Sequence, residues 1–342
     1  MQSKVSIIIP SYNNGNLLSK MISCILKQTY TNWELLIIDD CSSDNTQDII
    51  RSFEKEDNRI IFFIRNRLPK GAQTCRNIGL DNAGGEFIVL FDADDLISAT
   101  CLQNRVELLQ KNPHLDYISF PAKSFIDDTQ LPNFNDRGRK YGVGSVKNDL
   151  LTDLLNANYS SIVWTNIYRT SSIKNLKWDE KVTVYQDFDF ALSVVLSGLK
   201  HSFSNLHELD YFYRVGQHNT ISSNFISDEK CTSTIYLFSK TLDSLKLRSD
   251  YKKRKQEFKQ FIVLHFERLI VDGSISKTND YISFCKKYYP LLTISRLFII
   301  KNISLFFTNV ILRKLFLYFL SGTLFFRIRS ILMFGSTLKH WR

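Results

Sequence analysis

Four short apolar runs restrict what this chain can fold into: VSIIIP at 5–10, WELLIID at 33–39, RIIFFI at 59–64 and EFIVLF at 86–91. Each is rich in β-branched and aromatic residues, and stretches of helical character separate them. Nearly continuous apolar strands alternating with helices predict a parallel sheet covered on both faces and joined by right-handed crossovers. In such α/β sheets ligands gather at the carboxyl ends of the strands. The residues to read are those that follow each run: PSYNNG, DDCSSDNT, RNRLPKG and DADD.

The last of these is the most demanding. Asp92, Asp94 and Asp95 follow directly on an apolar run. In an extended segment alternate side chains share a face, so Asp92 and Asp94 converge while Asp95 points away or begins the next turn. Two carboxylates that close repel, and a hard divalent cation, Mn²⁺ or Mg²⁺, relieves the repulsion. Such an ion completes its shell with water and substrate phosphate, which implies a phosphorylated ligand. Upstream, Asp44 with Gln47 has the form of a capping box, predicting a helix start there and leaving Asp39 and Asp40 at a strand tip. Asp39 reads equally as a turn residue. QTCRNIGLDNAGGE reads as a helix stopped by Gly84-Gly85, which brings Arg76 to the same rim.

Taken in order, strand-PSYNN, IIDDCSSDNT, RNRLPKGAQTCRNIGL and GGEFIVLFDADD resemble the nucleotide-binding half of a family 2 glycosyltransferase with the GT-A fold. IVWTNIYRTSSI and YQD-FDFALSVVLSG resemble the acceptor half, and the resemblance ends near residue 225. It implies roles for particular residues. Pro10 and Tyr12 would belong to a uridine pocket, with Tyr12 as its stacking face. Asp40, or in its place Asp39, would accept from the uracil imide. Asn66 and Arg76 would approach the base and the nucleotide. Asp92 and Asp94 would serve ribose and metal, with Asp95 a second candidate ligand. Asp187 would be the catalytic base, and Gln186 stands where the family usually has Glu. Arg214 and His218, in YFYRVGQHNTIS, resemble a stretch near the pyrophosphate or acceptor. The competing reading of Asp187 is a helix N-cap, a role Asp189 also fits, and Trp164 reads as core rather than an acceptor platform.

The implied chemistry is inverting transfer of one sugar from a nucleotide sugar, a UDP-sugar by the pocket, to a hydroxyl of a lipid-linked or growing surface glycan of capsule or O-antigen type. It requires a neutralised leaving diphosphate and a base across the anomeric carbon, and no covalent intermediate. Two rival classes are weaker. A haloacid-dehalogenase-like phosphohydrolase also sets D-x-D after an apolar strand, but Leu96 stands where that class wants Thr or Ser, and its motif belongs on the first strand. A non-catalytic nucleotide-sugar-binding scaffold at the membrane conflicts with intact acids at 92, 94 and 187.

Charge distribution separates the tail from the body. The formal net charge is +10, yet no acid follows Asp280 and ten of the 44 Lys and Arg do, so residues 1–280 balance at 34 against 34. Ile299, Ile300, Ile303, Phe306 and Phe307 recur at helical spacing within this tail. The uncharged runs 302–312 and 315–326 fall short of the ~20 residues that span a bilayer. Cationic flanks and abundant Phe suit the headgroup region of an anionic leaflet; the same stripe would also serve a packed hairpin or a homodimer. Nucleic acid is excluded as a partner, since its readers need exposed polar surface. Six cysteines without a C-x-x-C pair, and an N-terminus without a signal-peptide pattern, predict reduced thiols in a cytoplasmic protein, peripheral on the inner face of the cell membrane. The expected organisation is α/β: a GT-A domain over 1–225, with a Rossmann-like nucleotide-binding half at 1–95 and an acceptor half at 96–225. A helical extension at 226–289 and amphipathic helices at 290–342 follow.

Overall fold

A computed structural model describes residues 2–126, 128–133, 135–136, 140–143, 149–158, 160–216, 227–271 and 278–289; His218 and the tail 290–342 lie outside the described residues. Strands and helices alternate first as β1 (Val5–Ser11), α1 (Gly15–Leu26), β2 (Trp33–Asp39), α2 (Thr46–Glu56), β3 (Ile60–Ile64), α3 (Ala72–Asn82) and β4 (Phe87–Leu90). There follow β5 (Leu96–Ile97), α4 (Cys101–Lys111), β6 (Tyr117–Ser119), β7 (Ala122–Phe125), β8 (Lys140–Tyr141), α5 (Leu150–Leu155), β9 (Asn166–Arg169), α6 (Thr170–Ile173), α7 (Gln186–Leu196), β10 (His201–Phe203) and β11 (Tyr211–Arg214).

The main sheet runs β10-β6-β9-β4-β1-β2-β3, and a smaller one runs β5-β11-β7-β8. β3, β2, β1 and β4 are parallel, as the apolar runs predict, and every residue of β1 and β2 is buried. Burying each large apolar side chain there contributes about 1.5–3 kcal/mol. β9 enters antiparallel between β4 and β6, so the wider sheet is mixed. The chain leaves β1 toward β2 on one side and later returns as β4 on the other. The ends of β1 and β4 therefore flank the crevice where the strand order reverses.

A crossover helix runs back along the sheet, so the first turns of α3 lie at the carboxyl rim. A β-carbon at Gly79 would fall 2.3 Å from Ile8 Cγ2 and 3.0 Å from Ile38 Cδ1. Glycine thus lets α3 rest directly on β1 and β2, with Arg76 one turn nearer the rim.

Two local expectations are corrected. Asp44 is not a helix cap: α2 begins at Thr46, Asp44 Oδ1 accepts from the Thr46 N–H at 3.0 Å in a tight turn, and Gln47 reaches Asp39 instead of completing a box. Gly84-Gly85 is no left-handed helix stop, because α3 ends at Asn82 and is followed by extended backbone at Ala83. The glycines instead pass close to β1, where a β-carbon at Gly85 would fall 2.7 Å from the Lys4 carbonyl oxygen.

The chain divides into two compact units. The first comprises residues 1–154, 159–181 and 186–217; the described part of the second is 155–158, 182–185, 227–271 and 278–289. In the second, α8 (Asp228–Leu245), α9 (Tyr251–Val271) and α10 (Thr278–Tyr288) pack around buried Phe238, Phe258, Phe261, Tyr281 and Phe284. Ser227 caps α8, its side chain accepting from the Lys230 N–H. Among the described residues no helix is long and apolar enough to cross a membrane. All six cysteines are free thiols.

Candidate active site

The turn after β4 lies at the reversal of strand order. β4 stops at Leu90, and Asp92–Asp95 form a turn rather than an extended continuation. Asp95 is fully buried, accepting from the Tyr211 hydroxyl at 2.6 Å and from the Arg214 N–H at 2.7 Å. Burial, with the Asp94 and Asp92 charges, raises its carboxyl well above the usual range. Arg214 Nε donates to the Asp94 carbonyl at 2.6 Å, and the Asp92 N–H donates to the Tyr211 hydroxyl at 3.2 Å. β11 thereby pins the turn, and Asp95 is placed as its anchor, away from the part-exposed Asp92 and Asp94.

β11 is itself held by the buried pair of Arg105 and Asp210, whose Nε–Oδ2 distance is 2.6 Å. Arg105 also donates to the carbonyls of Trp164 and Asn166 at 3.1 and 3.2 Å. Trp164 is buried and stacks on Tyr211 and Tyr213 at 4.9 and 5.3 Å, a core role. Arg214, expected near the pyrophosphate, is 4% exposed; its guanidinium also pairs with Asp128 and lies over Phe125.

Arg76 connects the two sets of acids. Its Nη2 donates to Asp92 Oδ1 at 2.5 Å, its Nη1 lies 3.9 Å from Asp187 Oδ1, and its guanidinium rests on the Trp178 ring. Asp187 occupies the first turn of α7 together with Asp189. Burial pushes the Asp187 carboxyl up to about 6, with Arg76 pulling it down and Asp92 pushing it up. Gln186 Nε2 donates to Gln73 Oε1 at 2.7 Å, and Gln73 Nε2 donates to the Glu180 carbonyl at 3.3 Å. The Gln186 amide, standing where the family usually has Glu, is thus paired with an amide of α3.

The residues expected to hold a base surround the ends of β1 to β3. Pro10 is buried in β1 opposite Ile38, and Tyr12 beyond it is 46% exposed, with the Lys70 ammonium 3.5 Å from its ring centre. Asp39 closes its own turn, accepting from the Ser42 N–H and Gln47 Nε2, each at 2.8 Å. Asp40 is buried and pairs with Arg65 Nε. Asn66, next in the chain, is exposed. Sequence reading missed Arg65, Lys70, Gln73 and Trp178. Only Arg65 and Lys70 carried a signal, as cations in a loop leaving a strand end.

The donor set can be tested against a metal. Burial and the Asp92 charge push the Asp94 carboxyl up to about 6, so added positive charge would relieve it. No group of three or more His, Cys, Asp or Glu that could hold a metal is gathered among the described residues. A pair of carboxylates fits Mn²⁺ or Mg²⁺, which draw the rest of their shell from water and phosphate, and does not fit a caged zinc.

Comparison with known proteins identifies the family. The model of Glycosyl transferase family 2 matches residues 6–186. An uncharacterized glycosyltransferase of Haemophilus influenzae is 32% identical over 232 residues, 68% of this chain and 87% of that protein. The Escherichia coli UDP-Glc:alpha-D-GlcNAc-diphosphoundecaprenol beta-1,3-glucosyltransferase WfgD is 46% identical over 108 residues, which are 32% of this chain and 42% of that enzyme. The crystal structure of Staphylococcus aureus TarS 1–349 in complex with UDP-GlcNAc superposes with a TM-score of 0.62 at 19% identity, covering 82% of this chain and 81% of that one, and establishes the GT-A fold. The acids follow the fourth strand and not the first, which removes the phosphohydrolase reading, and the chain belongs to glycosyl transferase family 2.

Proposed function

We propose that this protein moves a single sugar from a UDP-sugar to a hydroxyl of a lipid-linked or growing bacterial surface glycan, with inversion at the anomeric carbon. One observation carries the reading: Arg76 joins Asp92, on the turn after β4, to Asp187, at the start of α7. A carboxylate that would hold the cation at the leaving diphosphate and a carboxylate suited to act as base thus share one guanidinium. The TarS complex with UDP-GlcNAc and the lipid-diphosphate acceptor in the name of WfgD support the donor and acceptor classes.

Tyr12 offers its half-exposed face to the uracil, and Asp40, oriented by Arg65, accepts from the imide N–H. Asp187 takes the proton of the acceptor hydroxyl. The acceptor oxygen bonds to the anomeric carbon as the bond to the diphosphate oxygen breaks, and the electron pair leaves on UDP. Arg76 lies beside Asp187 and offsets part of the negative charge at the rim. Mn²⁺ or Mg²⁺ held by Asp92 and Asp94 would neutralise the departing diphosphate. The tail 290–342, apolar at helical spacing and free of acids, keeps the chain at an anionic inner leaflet.

The test is a screen of UDP-sugars with Mn²⁺ or Mg²⁺ and a lipid-diphosphate sugar acceptor, reading released UDP. Acceptor-dependent release with one donor is expected. No release with any donor, by a protein that binds UDP, would leave the scaffold reading standing in its place.

A further inference from the structure

The second unit concentrates positive charge that the transfer chemistry does not use. α8 closes at Leu245, α9 opens at Tyr251 and α10 closes at Tyr288, and side-chain contacts bring these three helix ends together. The Lys246 and Lys287 ammonium groups lie 5.3 and 5.0 Å from the Tyr288 ring centre, and that of Lys255 lies 5.3 Å from the Tyr289 ring centre. Both tyrosines are buried, so their rings hold the cations in place without being exposed themselves. Leu247, between α8 and α9, is 92% exposed and flanked in the chain by Lys246 and Arg248.

Residues 243–259 together with 286–287 carry nine Lys and Arg against three acids. The acids are already engaged: Asp243 pairs with Lys246, Asp250 with Arg248 and Arg254, and Glu257 with Arg254 and, at 3.8 Å, with Lys253. Lysines at the ends of α8 and α10 are what a helix dipole favours. Lys252 and Lys253 are not, because they lie in the first turn of α9, where positive charge opposes the dipole. Their placement costs the helix start some stability, which an external anion would offset.

We propose that this helix end docks on an anionic phospholipid bilayer, with Leu247 entering the headgroup layer and the surrounding lysines facing lipid phosphates. An exposed apolar tip flanked by cations fits a bilayer, whereas a single-stranded nucleic acid would want exposed aromatic faces. The tail follows Tyr289 directly in the sequence, and residues 290–342 add eight basic residues and no acid. The inference rests on the reading that the chain works at a membrane, and adds a folded contact to the tail.

Each cation close to such a surface multiplies partitioning by about fivefold. Lys252→Gln with Lys253→Gln in the full chain should therefore lower partitioning onto phosphatidylglycerol-containing vesicles by about 25-fold, and Leu247→Ser by about tenfold. UDP binding should stay unchanged. Because these side chains are exposed, the variants should fold; Lys287→Gln, with an expected fivefold loss, is a second and milder arm. Pure phosphatidylcholine vesicles should bind all forms weakly. A full chain that fails to float on anionic vesicles refutes the membrane reading and this surface together. If the variants float like wild type while removal of 290–342 releases the chain, the tail is the address and this surface alone is overturned. Tighter binding to a DNA probe than to anionic vesicles, lost in the same variants, overturns the choice of partner.

Discussion

Replacing Arg76 with Met tests the link between the two sets of acids. Arg76 is 6% exposed in its side chain and makes a 2.5 Å charge-assisted hydrogen bond to Asp92, itself 24% exposed. Breaking a buried pair costs about 3–5 kcal/mol, and water reaching Asp92 brings the expected loss toward about 3 kcal/mol. Asp187 lies 3.9 Å from the guanidinium, a separation worth about 4 kcal/mol at an effective dielectric of about 20. Its side chain is 36% exposed, so solvent screening reduces this to about 1.5–2 kcal/mol, or roughly one pH unit. The sign follows from charge. Removing a cation raises a carboxyl further, so the base becomes protonated at higher pH and the acid limb of turnover, expected near 6 in wild type, moves up by about one unit. For stability the wild-type shift acts in the opposite sense: the fold favours neutral Asp187, so that contribution is present below its ordinary value of 3.8 and is lost as pH rises through about 6. Urea unfolding and UDP release across pH, at saturating divalent cation, measure both effects. An acid limb that does not move, together with a stability loss under about 1 kcal/mol, would refute the bridging role of Arg76.

Asp187→Asn should leave UDP binding near wild type by calorimetry while lowering turnover by about a hundredfold or more; equal loss of both would make Asp187 structural. Asp94→Ala should weaken UDP binding when Mn²⁺ is present and change it little in chelator, and an equal effect in both conditions would remove Asp94 from the metal site. Arg105→Leu should cost about 3–5 kcal/mol in urea unfolding, because it strands Asp210 in the core, and adding Asp210→Leu should recover much of it. A loss under about 1 kcal/mol in the single variant would show that the pair does not hold β11.

What could be read from the chain before folding was what neighbouring residues settle among themselves. The apolar runs of β1 to β4 predict a parallel sheet because strand period and burial are local properties, and the polar segments after them mark the rim for the same reason. The acids at 92, 94 and 187 could be picked out as residue types in a recognisable order. What each acid touches could not. Asp95 became an anchor through Tyr211 and Arg214, over a hundred positions away, and Asp40 found Arg65 across the end of a strand. Gly84-Gly85 looked like a helix stop, but the close passage of β1 accounts for Gly85. The Asp44 box failed because Asp39 competed for Gln47. β9 joined the sheet antiparallel, which no local pattern of NIYR distinguishes from a parallel strand. Arg76 sits between Asp92 and Asp187 because α3 lies flat on β1 and β2 over Gly79. Contacts of that kind are set by how elements pack. Packing energy depends on residues distant in the chain, so no short window of sequence contains it.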